Sequence, residues 1–138
     1  MAAYNKFEIF SENLAEKVHD LDTDTLACYL SNTTPSASLD AVKADLAEIS
    51  TGNGYTGPED TQNATSRSGG VTSVTGVDIV ISASGGQVGP FQYTVLMNDT
   101  PTSPLDPLIA WWDYGSAVTL NDGEDFTIDF GTEMFTIT

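Results

Sequence analysis

Three aspartates stand at alternate positions in the segment HDLDTDT. Asp20, Asp22 and Asp24 have the one-three-five spacing with which an EF-hand loop supplies its first calcium ligands. That loop also requires glycine at its sixth position and a bidentate acid at its twelfth, but this chain has Thr25 and Ser31 there. We therefore expect hydrated carboxylates where a helix turns into a strand, and not a metal site.

A second acidic cluster, NDGED, occupies residues 121–125. Its Asn-Asp-Gly start is a strong β-hairpin signal, because glycine readily adopts the positive φ that such turns require. Alternating apolar residues flank it on both sides: Val118 and Leu120 before it, Phe126 and Ile128 after it. We predict a hairpin turn here and no cofactor in the chain, while calcium at either acidic loop stays an open alternative.

The groups that could perform nucleophilic catalysis are few. Such catalysis needs a base held beside a nucleophile, and the chain has one histidine, His19, and one cysteine, Cys28. Cys28 falls on an alternating strand, where a buried structural thiol is usual, and a single cysteine forms no internal disulfide. Paired carboxylates could serve a glycosidase, but these acids fall mainly at helix faces and turns. We predict no enzymatic activity and no catalytic residues.

Two adjacent tryptophans in PLIAWWDYG raise the question of an aromatic ligand platform. Neighbouring residues of a strand point to opposite faces, so Trp111 and Trp112 cannot form one platform together. A period of two gives an apolar face and a mixed face, formed respectively by Leu108, Ala110 and Trp112 and by Ile109, Trp111 and Asp113. We predict that Trp112 lies in the core and that Trp111 lies near the surface or at a subunit contact, because tryptophan is enriched in interface hot spots.

The candidate interface residues are therefore Trp111, Ile109 and Asp113, together with Tyr55. Tyr55 belongs to a loop at 52–70. This loop and a helix at 6–20 are two further candidate contact regions. The alternative for an exposed tryptophan is stacking on a sugar, as in a carbohydrate-binding module.

The elements that position these residues begin with helical periodicity. Apolar residues at three- and four-residue steps predict an amphipathic helix over about 6–20: Phe7, Phe10, Leu14, Val18 and Leu21. The segment TLACYLS, residues 25–31, alternates as a strand. A second helix is predicted from a cap at Ser38 to the turn-rich segment TGNGYTGPED, on the spacing of Leu39, Val42, Leu46 and Ile49.

The rest of the chain has strand periodicity from residue 64 onward. Three alternating sets are Val77, Ile79 and Ile81; Phe91, Tyr93, Val95 and Met97; and Phe126, Ile128 and Phe130. Turns are expected at SGG, SGGQVG, YGS and NDGED, and a mobile loop at 61–76. We predict a single domain over 1–138, helix-rich in 1–50 and β-rich in 64–138. Its class is α+β and mostly β, an antiparallel β-sandwich or barrel-like sheet with one or two amphipathic helices in the N-terminal third.

The charge of the chain excludes several classes of partner. Four Lys and Arg stand against 20 Asp and Glu, for a net charge of −16. Without a basic cluster, binding to nucleic acid or to an anionic membrane is not expected. The acidic surface suits a soluble, outward-facing part or a basic partner. The N-terminal residues have no secretion signal and no segment has the length of a membrane span, so we expect synthesis in the cytoplasm.

Several stretches together resemble small structural proteins encoded by tailed bacteriophages. They are KFEIFSENLAEKVHDLDTDTLACYLSNTTP, AEISTGNGYTG, SASGGQVGPFQYTVLMNDT and DPLIAWWDYGSAVTLNDGEDFTIDF, and the resemblance covers nearly the whole chain. It implies a virion component, namely a head decoration (cement) protein on the capsid exterior, made in the cytoplasm of the host bacterium. The implied partners are the major capsid protein and further copies of this chain. Alternatives are a tail, neck or fibre-attachment component.

Overall fold

The computed structural model describes residues 2–138 and is mostly β, with antiparallel sheets and one α-helix near the N-terminus, which confirms the predicted fold class. No helix in this range is long and apolar enough to cross a membrane. In chain order the elements are β1 (Tyr4–Lys6), α1 (Glu8–Ala15), β2 (Leu26–Ser31), a 3₁₀ turn (Lys43–Asp45), β3 (Glu59–Asp60), β4 (Ala64–Ser68), β5 (Val71–Thr75), β6 (Ile79–Ser82), β7 (Val88–Asn98), β8 (Leu108–Leu120), β9 (Asp125–Ile128) and β10 (Phe135–Ile137).

Three sheets form the β structure. The main sheet has the order β1-β8-β7-β2-β3, and every neighbouring pair in it is antiparallel. Two smaller antiparallel sheets have the orders β10-β5-β4 and β6-β9. Strands from both ends of the chain meet in the main sheet, since β1 pairs with β8 and β2 pairs with β7.

The main sheet is covered on both faces. One face forms the larger core with apolar side chains of the two small sheets, and the other forms a smaller core with Phe7 and Leu46. In β2 the faces alternate, so that Cys28 enters the larger core and Tyr29 the smaller one, and all six of its residues are buried. This sandwich-like arrangement explains why TLACYLS has no polar face, since a strand covered on both faces is apolar on both.

The first helix is shorter than predicted. It ends at Ala15, where Lys17 takes a positive φ of 65° and the N–H of Val18 bonds the carbonyl of Asn13. This bond and the left-handed conformation of Lys17 form the C-terminal cap of the helix. Leu21, which continues the helical spacing, is nevertheless buried, because the turn after the helix carries it into the larger core.

The second predicted helix is wrong. Residues 38–50 contain only the single 3₁₀ turn. The backbone finds other partners: the carboxylate of Asp45 accepts from the N–H groups of Ala41 and Val42, and Lys43 N–H bonds the carbonyl of Asp106. Aspartate commonly diverts a backbone from helix in this way, and Leu39 is left exposed.

The acidic NDGED cluster forms a turn, but not the predicted hairpin. Gly123 has a φ of 88° and Glu124 N–H bonds the carbonyl of Asn121. β9 then pairs with β6 and not with β8, so the turn carries the chain from the main sheet to a small one.

Two more turn predictions need correction. The YGS segment does not end a strand: it lies within β8 as an irregularity, where Phe91 faces Val118 and Tyr93 faces Asp113. The predicted loop at 61–76 contains a regular hairpin, in which β4 and β5 are joined by the expected SGG turn. The GNGY turn is also present, with positive φ at Asn53 and Gly54.

Candidate interaction surface

A β-bulge at Ile109 changes which residues of PLIAWWDYG share a face. Ala110 faces Leu96 and Leu108 faces Met97, which leaves Ile109 as an extra residue on β8. Ile109 and Ala110 therefore both belong to the larger core, whereas Leu108 belongs to the smaller one. The predicted face of Ile109, Trp111 and Asp113 does not exist as one surface, because a one-residue shift reverses the alternation.

Trp112 lies in the larger core, as predicted. It is buried, and its ring centroid lies 6.0 Å from that of Tyr4 and 6.2 Å from that of Phe130. Aromatic rings at such separations and tilts pack favourably. Burial also raises the pKa of Tyr4 to about 12. Trp112 therefore contributes to folding and not to a surface.

Trp111 lies at the border of the smaller core. It is half-buried, and its ring centroid lies 4.6 Å from that of Phe7 at an angle of 50°. Phe7 thus occupies part of the indole surface, and the remaining edge faces outward. A contact role for Trp111 stays a prediction, and a flat platform for a sugar would have to use this edge.

Asp113 is exposed and its carboxylate is held by two donors. Gln92 Nε2 donates to Oδ1 at 3.0 Å and the N–H of Gly115 donates to it at 2.7 Å. The hydrogen bond from Gln92, and after it the bond from Gly115, lowers the pKa of Asp113. Tyr114 follows as a half-exposed residue whose ring centroid lies 4.9 Å from that of Phe126. Tyr114 was missed from the sequence because YGS was interpreted as a turn.

Tyr55 is buried, so the prediction that it is a surface contact residue is wrong. Its hydroxyl donates to Glu48 Oε2 at 2.5 Å and accepts from the N–H of Leu30 at 3.0 Å. Burial, with the neighbouring Glu48, raises the pKa of this phenol. Glu48 also forms an ion pair with Lys43 at 2.9 Å. Tyr55 therefore fastens the GNGY turn to β2, and Ile109 is likewise absent from the surface.

Each of the three aspartates of HDLDTDT accepts hydrogen bonds from a different part of the protein. Asp20 Oδ1 accepts from the N–H groups of residues 22 and 23, and hydrogen bonds from Thr23 lead the causes that lower the pKa of Asp20. Asp22 Oδ1 accepts from Thr65 Oγ1 at 2.8 Å, and Asp24 Oδ2 accepts from Asn98 Nδ2 at 2.7 Å. These bonds fix a turn and join it to β4 and β7.

His19 belongs to a buried polar cluster that the sequence analysis missed. Its Nδ1 lies 3.0 Å from Asn98 Nδ2, which also bonds Asp24. Its Nε2 is buried without a hydrogen-bond partner among residues 2–138. Desolvation lowers the pKa of His19 to about 4, against the opposing effect of Asp24. No short-range sequence signal joins positions 79 residues apart.

Cys28 is a buried thiol in the larger core, which agrees with the structural role expected for it. Burial raises its pKa, so the reactive thiolate is disfavoured. His19 and Cys28 are thus both engaged inside the fold.

The hairpin of β4 and β5 contains no acidic residue. Its residues are exposed or half-exposed except Val74, which packs in the larger core. From residue 61 to residue 77 the only charged side chain is that of Arg67, in a chain with 20 acids. This run without Asp or Glu was the available sequence signal for a distinct surface.

A scan against protein-family models and searches of curated proteins and solved structures found no match to this chain.

Proposed function

We propose that this protein is a structural component of a bacteriophage virion that decorates the exterior of the head and stabilises the shell. What supports the proposal is the resemblance of the four quoted stretches to small structural proteins of tailed phages. Two of its quoted stretches, at 82–100 and 106–130, contain β7, β8 and β9. The resemblance therefore involves the central strands of the fold and not only its surface loops.

The charge and the packing support a structural role on an outer surface. A net charge of −16 keeps the protein soluble and repels packaged DNA. The histidine and the cysteine, the side chains best suited to nucleophilic chemistry, are buried in structural positions. A sheet covered on both faces makes a rigid body, and rigid surfaces bind with little loss of conformational entropy.

The proposed partners are the major capsid protein and further copies of this chain. Many copies on a closed shell make attachment multivalent, so that each contact need not be tight. The outward edge of Trp111, beside exposed Asp113, is the proposed contact with the capsid protein. An acidic decoration protein would there meet a basic or neutral patch of the shell.

Copy number tests this proposal. The chain would be quantified by mass spectrometry in purified virions of the phage that encodes it, against the major capsid protein. Hundreds of copies, with electron microscopy placing them on the head, would support decoration. A dozen or fewer would contradict it in favour of the neck, tail tip or fibres. Absence from the particle would overturn the virion role, and a glycan array would then test the carbohydrate-binding alternative.

Occupancy of a Trp111→Ala variant tests the proposed contact. We expect the variant to fold and to occupy fewer sites on particles that lack the wild-type protein. Tyr114→Phe, which keeps the ring and removes an exposed hydroxyl, is the matched control and should attach normally. Full occupancy by Trp111→Ala would place the contact elsewhere on the chain.

A further inference from the structure

The strand β4 has one free edge. It is the outermost strand of the small sheet β10-β5-β4, and it pairs with β5 alone in an unbroken register from Ala64 to Ser68. Within residues 2–138 no backbone group of this strand bonds another segment on its far side. Such an edge is a template for pairing with another strand unless proline, charged side chains, a bulge or a covering segment protects it. ATSRS has no proline and no bulge, and its one charged side chain is that of Arg67.

Arg67 gives this edge an unmatched positive charge. It is the one arginine of the chain, since the other three basic residues are lysines. Its guanidinium donates to the carbonyl of Gly69 at 3.1 Å, and it forms no ion pair with the described residues. A free guanidinium on an acidic protein favours a carboxylate of another molecule.

Thr65, two positions before Arg67 on this strand, holds a carboxylate that belongs to the turn at residues 20–24. Thr65 Oγ1 donates to Asp22 Oδ1 at 2.8 Å, which places Asp22 beside β4. Thr65 and Arg67 are on the same face of the hairpin, because residues two apart in a strand point the same way. The strand thus carries an exposed cation at Arg67 and, at Thr65 on the same face, a hydrogen bond to the exposed anion of Asp22.

We propose that β4 pairs antiparallel with β4 of a second copy of this chain, joining two three-stranded sheets into one six-stranded sheet. A two-fold axis perpendicular to the sheet keeps each face on its own side, so facing residues must have the same parity. The register that pairs the whole strand sets Ser66 against Ser66, and Arg67 against Thr65 of the other copy. Each Arg67 then lies next to the Asp22 of its partner.

Other registers of the same symmetry fit less well. A shift in one direction sets Arg67 against Arg67, and like charges directly opposite each other destabilise a strand pair. A shift in the other direction removes Ser68 from the pairing and moves Arg67 away from Thr65. The charges on the edge therefore select the register centred on Ser66.

A second copy is favoured over other occupants because the edge is complementary to itself. The rest of the surface is strongly acidic, so most approaches of two copies are repulsive. The acid-free hairpin reduces that repulsion, and salt at about 0.15 M screens charges more than about 8 Å apart. This inference concerns the free protein and does not depend on the proposed virion role.

Cysteine cross-linking tests the register. Paired residues in antiparallel strands have Cα atoms about 4.5–5.5 Å apart, within the range that a disulfide spans. We expect Ser66→Cys to form a covalent dimer on mild oxidation. Ser68→Cys is the matched control on the same exposed face, because two copies of residue 68 would be separated by about 13 Å along the strand. Equal cross-linking of the two variants, or none, would overturn the proposed register.

Charge reversal tests the contact between the two copies. In sedimentation equilibrium, Arg67→Asp and Asp22→Arg should each weaken dimerisation by about tenfold or more, because each places like charges together. The double variant restores opposite charges across the dyad and should recover the wild-type association. Thermal unfolding verifies that all three variants fold. A wild-type protein that stays monomeric up to about 1 mM, or a double variant no better than the single ones, would refute the proposal.

Discussion

Nδ1 of His19 lies 3.0 Å from the side-chain nitrogen of Asn98, and because an amide nitrogen can only donate, this contact requires Nδ1 to be the unprotonated acceptor of the imidazole. The same amide nitrogen donates to Asp24 at 2.7 Å, and the ring of Phe10 packs 5.3 Å from the imidazole centroid. Protonation of Nδ1 would place an N–H donor of the imidazole against the side-chain N–H donor of Asn98 inside the core. The fold therefore holds His19 in its neutral form.

Stability should fall as the pH is lowered through the ordinary range of histidine. The pKa of His19 is about 4 in the folded chain and 6.5 in its ordinary state, so unfolding takes up a proton once the pH is below 6.5. The free energy of unfolding should decrease by about 1–2 kcal/mol between pH 7 and pH 5 from this group, and the loss should level off below pH 4. Urea denaturation across this range measures it.

The His19→Gln variant isolates the contribution of the imidazole from that of the carboxylates. Glutamine keeps a hydrogen-bond acceptor and has no proton to gain. The difference in free energy of unfolding between wild type and variant should therefore shrink as the pH falls from 7 to 5. A difference that is constant over this range would mean that His19 is not the titrating group.

Removing the Tyr55 hydroxyl should be costly. Tyr55→Phe leaves the buried N–H of Leu30 without its acceptor and removes the donor to Glu48, which should lower the free energy of unfolding by about 2 kcal/mol. Tyr114→Phe is the matched control, because 47% of that residue is exposed, and should change stability by less than about 0.5 kcal/mol. Equal effects of the two substitutions in urea denaturation would contradict the role given to Tyr55.

Gly54 should tolerate no side chain. It has a φ of 101°, and a Cβ there would overlap the carbonyl oxygen of Ser82. Gly54→Ala should destabilise the protein by about 3 kcal/mol or more. Gly52→Ala has the same kind of backbone strain, at a φ of 122°, but meets open space, and should cost about 1–2 kcal/mol. Circular dichroism during thermal unfolding compares the two, and the reverse ranking would disprove the contact.

The adjacent tryptophans should differ in their contributions to stability. Trp112→Ala should lower the free energy of unfolding by about 3–5 kcal/mol, because it empties part of the larger core. Trp111→Ala should cost about 1–2 kcal/mol, because its ring is only half-buried. If Trp112→Ala does not fold, Trp112→Phe provides the measurable step. Urea denaturation monitored by circular dichroism measures these losses without relying on tryptophan fluorescence, which the substitutions change. Similar losses for both variants would contradict the placement of Trp112 in the larger core and of Trp111 at the border of the smaller one.

Much of the fold follows from periodicity that the sequence shows directly. The alternation in residues 25–31 and in the stretches leading to Met97 and Ile128 marks β2, β7 and β9, because side chains of a strand alternate between faces. The burial of Trp112 follows from the same rule. Where the rule is interrupted, it misleads: the bulge at Ile109 moves that residue into the larger core.

The errors arise where distant segments supply the partners. The helical spacing around Leu46 is genuine as a pattern, but Asp45 and the carbonyl of Asp106 take the backbone N–H groups that a helix would need. The bond between His19 and Asn98 likewise joins two parts of the chain that no local pattern links. Tertiary hydrogen bonds override local propensity at such places.

The burial of the main sheet on both faces makes the reactivity of one thiol a measure of how often the fold opens. Cys28 lies within β2, hydrogen-bonded into the sheet between β7 and β3, and its thiol is enclosed by the larger core. We expect a disulfide-exchange reagent to reach the sulfur only when these layers separate, because the thiol is buried in the larger core and not beneath the β4–β5 hairpin alone. The labelling rate of this one sulfur atom therefore records how often the whole molecule opens, without any introduced probe.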